Sequence, residues 1–103
     1  MAMLHTVNKS AFENRSLDSC IAHAKPGSSI LLFEDGVVAA MEGTVISDKI
    51  KSILGDIKVY VLGPDLRARG LSTDKVIDGV TVLEDYGGFV DLVTEHDNVQ
   101  AWL

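Results

Sequence analysis

Short apolar segments of strand length alternate with helix-sized segments along the whole chain, and this alternation limits the fold more than any other feature. The strand-like segments are MLHTV (3–7), SILLF (29–33), KVYVL (58–62), VTVLE (80–84) and VQAWL (99–103). The second is apolar almost throughout, as a strand covered on both faces is. Strands separated by helices form βαβ units and a parallel sheet. We therefore predict a single α/β domain, 1–103, with three layers (α/β/α) around a mostly parallel five-stranded sheet, flavodoxin-like in style.

The helical segments have recognisable first and last residues. For the first helix we predict Ser16 as the N-cap and Pro26-Gly27 as the end. Its apolar side combines residues at i, i+4 and i+7, which are Leu17, Ile21 and Ala24. Three more helices are predicted over 47–54, 63–70 and 86–96. The apolar stripe of the last consists of Phe89, Val90 and Val93.

The segment FEDGVVAAMEG (33–43) fits two structures. Asp35-Gly36 between apolar runs is typical of a hairpin turn. Ala39, Ala40 and Met41 favour a helix, and the strand before them, apolar on both faces, favours a crossover connection. We predict the helix and keep the hairpin as the alternative.

Charge and cysteine content exclude several classes of protein. The chain has 9 Lys and Arg against 15 Asp and Glu, a net charge of −6, and no basic run. Because Lys and Arg contacts to phosphates supply most non-specific nucleic-acid affinity, we predict no direct nucleic-acid binding.

No apolar run approaches the about 20 residues of a membrane span, and no signal peptide is visible. One cysteine cannot form an internal disulfide, which together with the absence of a signal peptide predicts a cytoplasmic protein. One cysteine and three scattered histidines form no zinc pattern, and nucleotide-binding glycine motifs are absent, so we predict no cofactor.

Cys20 is the one candidate nucleophile. At about 100° per residue it lies roughly 60° from the centre of the apolar side of its helix, which predicts a place at the edge of the buried stripe. A reactive thiol needs a lowered pKa, and Arg15, His23 and Lys25 are the nearby cations that would stabilise the thiolate. Free cysteine is also among the most often buried residues, so a packing role is the alternative.

Three other positions carry two interpretations each. His5, inside the first strand, is predicted to be a hydrogen-bonded core or interface residue. Trp102 suits an interface or the core equally. Glu34-Asp35 directly follows the second strand, where open α/β sheets bind ligands, but a helix-capping role explains this pair as well.

Four segments together carry a resemblance that covers Met3 to Trp102: MLHTVNKS, LLFEDGVVAAMEG, KVYVLGPDLRARGL and the terminal AW. In this combination the chain resembles the TusB/DsrH family. The resemblance implies the DsrEFH-like fold. It also implies a hetero-hexamer with DsrE-like and DsrF-like paralogous subunits, two copies of each. Such complexes relay sulfur as a cysteine persulfide to a small sulfur-carrier protein with a reactive cysteine.

The resemblance also bears on the pathway. One branch of the family serves 2-thiolation of the wobble uridine in tRNA, and the other serves oxidation of stored sulfur. The resemblance implies that the main sulfur-accepting cysteine lies on a sister subunit and not on this chain. It also implies that a counterpart of Cys20 is typical of the sulfur-oxidation branch. We therefore predict a DsrH-like subunit of a sulfurtransferase complex, with Cys20 as a sulfur carrier. The alternatives are a non-catalytic structural subunit, a TusB-type subunit in tRNA thiolation, and a stand-alone nucleotide or flavin module, which lacks a phosphate loop.

Overall fold

The computed structural model describes residues 3–102, and its elements follow the predicted alternation. The strands are β1 (Met3–Val7), β2 (Ser29–Leu32), β3 (Lys58–Leu62), β4 (Thr81–Leu83) and β5 (Asn98–Trp102). The α-helices are α1 (Ser16–His23), α2 (Ser47–Ile53), α3 (Gly63–Ala68) and α4 (Tyr86–Glu95), and two 3-10 helices cover Glu34–Ala40 and Thr73–Lys75. The five predicted strands are confirmed to within two residues at each end. Leu103, which the prediction placed in the last strand, lies outside the described residues.

The sheet is parallel throughout, with the strand order β4-β3-β2-β1-β5. The chain moves in one direction from β1 to β4 and then returns to the opposite edge as β5. Because βαβ crossovers are right-handed, the first three connections lie on one face of the sheet and α4 lies on the other. The predicted three-layer α/β/α fold is confirmed.

Each face of the sheet has its own apolar core. The larger one lies under the first three connections and includes Val7, Leu17, Cys20, Ile30, Leu32, Val37, Ile50, Val59, Val61, Leu66 and Ile77. The smaller one lies under α4 and consists of Leu4, Leu31 and Leu92, with Tyr60, Leu83, Phe89 and Val93 packed against it. Alternate residues of β1 and β2 therefore belong to different cores, as the period of two in a strand requires.

Two helices differ in detail from the prediction. Helix α1 begins at Ser16, so Ser16 is its first residue and not its N-cap, and the side chain of Asn14 accepts the Ser16 N–H at 2.7 Å. In α4, Leu92 is buried, whereas Val90 is 58% exposed. Phe89 and Val93 pack against the smaller core as predicted, and Leu92 takes the place of Val90 in the apolar stripe of α4. The N-cap is Asp85, which accepts the Gly88 N–H at 3.1 Å.

The segment 33–43 is helical, so the helix prediction is confirmed and the hairpin is wrong. It forms the 3-10 helix Glu34–Ala40, which packs against the end of β1. A Cβ on Gly36 would lie 2.3 Å from the carbonyl oxygen of Val7. Glycine is therefore required here for close approach of two backbone segments. Among residues 3–102, no helix is long and apolar enough to cross a membrane.

Candidate functional site

Cys20 lies in the larger core. Its exposed fraction is 0%, equal to that of the central β-strand residues Ile30 and Val61. The prediction that it lies at the edge of the buried stripe is wrong. The buried side of α1 combines Leu17 and Cys20, at i and i+3, while Ile21 is only partly buried. The helix is thus rotated toward Cys20 relative to the orientation that the apolar pattern indicates.

Burial changes the acid–base chemistry of the thiol. Desolvation raises the pKa of Cys20 from its ordinary value of 9.0 to about 12. Because the thiolate is the nucleophile in sulfur exchange, a rise of this size lowers the reactive fraction at neutral pH about a thousandfold. The environment of the sulfur is that of a packing residue.

The three cations predicted to support the thiolate are not gathered around it. Arg15 is the N-cap of α1, whereas His23 is the last residue of the helix and Lys25 follows it. An eight-residue helix is about 12 Å long, so Arg15 and His23 lie at opposite ends. All three are exposed, and desolvation alone sets the pKa of Cys20. The structure brings His23 and Lys25 together in the lining of one cavity, at the opposite end of α1 from Arg15.

His5, Trp102 and His23 form a cluster on the face of the sheet that α1 covers. Trp102 Nε1 donates a hydrogen bond to His5 Nδ1 at 3.0 Å, and the Trp102 ring centroid lies 5.4 Å from that of His23. His5 is 3% exposed, which confirms the prediction of a hydrogen-bonded, buried residue. Burial, and to a smaller extent the charge of His23, lowers the pKa of His5. Trp102 is partly buried against the larger core.

The carboxyl end of the sheet, where open α/β sheets bind ligands, is occupied by the protein's own hydrogen bonds. The buried Asp65 accepts the Glu34 N–H at 2.6 Å through one carboxylate oxygen and the Tyr86 hydroxyl at 3.0 Å through the other. Asp35 pairs with Arg69 at 3.0 Å. The predicted Glu34-Asp35 pair thus contributes a backbone N–H and an ion pair to a closed network, which connects the segments that follow β2, β3 and β4.

Asp65, the residue that organises this network, was not among the candidate residues predicted from the sequence. Its signal was weak, because an acidic residue after Pro64 in the first turn of a helix is common at any helix N-terminus. The backbone is also close-packed here: a Cβ on Gly63 would lie 2.7 Å from the carbonyl oxygen of Leu83. This approach leaves no room for a ligand between the ends of β3 and β4.

Comparisons with known proteins give a consistent family. The family described as "DsrH like protein" matches residues 9–99. Protein TusB of Pectobacterium parmentieri is 35% identical over 100 residues, which cover 97% of this chain and 100% of the relative. Protein TusB of Escherichia coli K12 has the same identity and the same coverage.

Solved structures agree on the fold. The ychN protein from E. coli superposes with a TM-score of 0.82 at 19% identity and covers 98% of both chains. MTH1491 from Methanobacterium thermoautotrophicum, a protein of unknown function, superposes with a TM-score of 0.75 at 16% identity and covers 96% of both chains. At these identities the likeness shows the fold alone.

Proposed function

Because this chain belongs to the DsrH-like family, we propose that it is a subunit of a cytoplasmic sulfur-relay complex and that it carries no sulfur itself. In this proposal the persulfide forms on a cysteine of a paralogous subunit. The chain completes the assembly and holds that subunit in place. Cys20 then serves to pack α1 against the sheet.

The observation that carries the proposal is the burial of Cys20. A sulfur carrier must meet a donor persulfide and an acceptor thiol in turn, and each exchange requires direct attack by a thiolate on sulfur. Cys20 is 0% exposed and has a pKa raised to about 12. Both properties oppose that attack, and both are expected of a core residue.

The surface supports assembly with other subunits. Five large apolar side chains are about half exposed or more: Phe12, Val45, Tyr86, Val90 and Val99. Val99 lies on β5, which pairs with β1 on one side and forms an edge of the sheet among the described residues. Unpaired strand edges and exposed apolar groups are commonly covered in complexes. We propose DsrE-like and DsrF-like paralogues as the partners, in a hetero-hexamer with two copies of each subunit, and a small sulfur-carrier protein as the acceptor from the complex.

For the pathway, we favour 2-thiolation of tRNA, because the similar curated proteins are named TusB. The net charge of −6 suits a chain that leaves tRNA contact to other subunits. Oxidation of stored sulfur is the second candidate. It is favoured by the presence of Cys20, although the burial of that residue weakens this support.

The carrier role is tested by loading the purified complex with a persulfide donor and weighing each subunit by intact-mass spectrometry. We expect a gain of one sulfur atom on a paralogous subunit and none on this chain. A matched complex with Cys20→Ala is expected to assemble and to pass sulfur to the acceptor at the wild-type rate. Addition of sulfur to this chain, lost in Cys20→Ala, would contradict the proposal.

The pathway is tested separately by deleting the gene and measuring 2-thiouridine in total tRNA by mass spectrometry. We expect the modified nucleoside to disappear and to return on expression of either the wild-type chain or Cys20→Ala. If thiouridine is unchanged and consumption of stored sulfur stops, the second pathway is correct.

A further inference from the structure

A cavity of about 390 Å³ opens at the amino end of the sheet, opposite the Asp65 network. Its lining comes from the start of β1, the end of α1 and the loop that leads into β2. These elements contribute Met3, His5, His23, Lys25 and Ser28. The volume lies within the range of small-molecule sites in proteins. None of these residues takes part in the assembly or sulfur transfer proposed above.

The charge of this lining differs from that of the rest of the chain. The protein has 15 acidic residues and 9 Lys and Arg. Among the described residues 3–102, the ionisable side chains that line this cavity are nevertheless two histidines and a lysine. In two other surface cavities the carboxylates outnumber the cations: one has Glu42, Asp74 and Asp78 with Lys75, and the other has Glu13 and Asp35 with Arg69. A cavity whose described ionisable lining is basic, in a protein that is acidic as a whole, is suited to an anion.

The tautomer of His5 is determined by Trp102. The indole Nε1–H can only donate, so His5 Nδ1, 3.0 Å away, must be an unprotonated acceptor. In the neutral ring the proton is then on Nε2, which makes His5 a hydrogen-bond donor through that atom. Burial lowers the pKa of His5 and so favours this neutral form. Trp102 thereby fixes both the orientation and the donor character of a ring that lines the cavity.

The orientation of His23 is also determined by a hydrogen bond. Its Nδ1 lies 2.8 Å from the carbonyl oxygen of Ser19, which can only accept, so Nδ1 carries a proton. The remaining nitrogen, Nε2, is available to hold a second proton next to an anion. Lys25 adds an ammonium group and Ser28, which is 5% exposed, adds a hydroxyl.

We propose that this cavity binds a small oxyanion, such as phosphate, sulfate or the phosphate group of a small organic molecule. His5 Nε2–H, the Lys25 ammonium group and the Ser28 hydroxyl are the donors, and His23 adds a further donor when protonated. Hydrogen bonds from charged donors to an anion are the stronger class of such bonds. Met3 provides an apolar wall that suits the organic part of a ligand.

Trp102 allows a direct test, because it is the only tryptophan of the chain and contacts both histidine rings. The full-length protein is titrated with inorganic phosphate at neutral pH while sodium chloride keeps the ionic strength constant. We expect a saturating change in tryptophan fluorescence. Imidazole resonances of His5 and His23 in NMR spectra are expected to shift with the same midpoint.

Matched variants identify the site. Lys25→Gln is expected to weaken phosphate binding about tenfold, the equivalent of about 1.4 kcal/mol. Lys9→Gln, an exposed lysine in the loop after β1 at the opposite end of the sheet, is expected to leave the midpoint unchanged. Both side chains are exposed, so neither change endangers folding. A change that does not saturate, or equal midpoints for the wild type and Lys25→Gln, would overturn the proposal.

A second titration separates the two sources of the anion. Tighter binding of glycerol phosphate than of inorganic phosphate identifies the phosphate group of a small organic molecule as the ligand. Tighter binding of inorganic phosphate identifies the free anion. Because the sulfur-loading experiment does not involve these residues, failure of either proposal leaves the other standing.

Discussion

The burial of Cys20 predicts an alkaline stability difference between the wild type and Cys20→Ala. In the folded protein the pKa of the thiol is raised from 9.0 to about 12. The unfolded chain, whose thiol has the ordinary value, therefore loses its proton first as the pH rises. Above about pH 9 the unfolded state binds fewer protons than the folded state, so the free energy of unfolding falls with pH.

The magnitude follows from the two pKa values. The part of the folding stability that depends on the protonated thiol is fully present below pH 9.0, and it decreases progressively as the pH rises to about 12. Each pH unit in this window costs about 1.4 kcal/mol. Between about pH 8 and about pH 10 the wild type should therefore lose about 1.4 kcal/mol that Cys20→Ala does not lose.

The assay is thermal unfolding of both proteins, followed by circular dichroism, at about pH 8 and about pH 10. At the lower pH we expect Cys20→Ala to be less stable by about 1–2 kcal/mol, because removal of the sulfur leaves a void in a packed core. At the higher pH the difference between the two melting temperatures should shrink by roughly 5–10 °C. Lysine and tyrosine titrations affect both proteins alike, so the comparison isolates the thiol.

An unchanged difference between the two pH values would refute this reasoning. It would mean that the folded-state pKa of Cys20 is close to its ordinary value, and hence that the sulfur is solvated. That result would also remove the main support for a subunit that carries no sulfur.

Two further perturbations address the carboxyl end of the sheet and the backbone contact at β1. Asp65→Asn should cost about 2–3 kcal/mol of stability, because two hydrogen bonds to a buried carboxylate are weakened. The same change should lower the pKa of Tyr86, because the hydrogen bond to Asp65 raises that pKa in the wild type. Ultraviolet absorbance during an alkaline titration measures the Tyr86 pKa. An unchanged value in Asp65→Asn would contradict the hydrogen bond. Gly36→Ala should destabilise the fold by more than about 3 kcal/mol in urea unfolding, since its Cβ would lie 2.3 Å from a backbone oxygen. Gly55→Ala, where a Cβ meets nothing within 4 Å, is the control and should change stability by less than about 1 kcal/mol; equal effects of the two glycine changes would show that the close approach at β1 does not occur.

The two ends of the sheet have different chemical character. At the carboxyl end, Asp65 joins three connecting segments, and Gly36 and Gly63 allow the backbone to pack closely. At the amino end, a cavity remains open and is lined by donors. The oxyanion site proposed above therefore lies at the end that open α/β sheets use less often for ligands.

The amino-acid sequence by itself determined the order of the elements and the class of the fold. Local patterns sufficed, because a strand such as KVYVL and a helix stop such as Pro26-Gly27 are specified by neighbouring residues. Sequence also indicated that His5 is buried, since it lies within an apolar strand. The identity of the family followed from four segments spread over the chain.

Tertiary structure alone decided the state of Cys20 and the makeup of both ends of the sheet. The rotation of a short helix depends on which of its side chains meets the sheet, and a shift of one position moves Cys20 from the rim into the core. The contact of Trp102 with His5 spans 97 positions and exists because β5 returns to pair with β1. Asp65 reaches Glu34 and Tyr86 because the carboxyl ends of parallel strands lie at one edge of the sheet, whatever their separation in the chain.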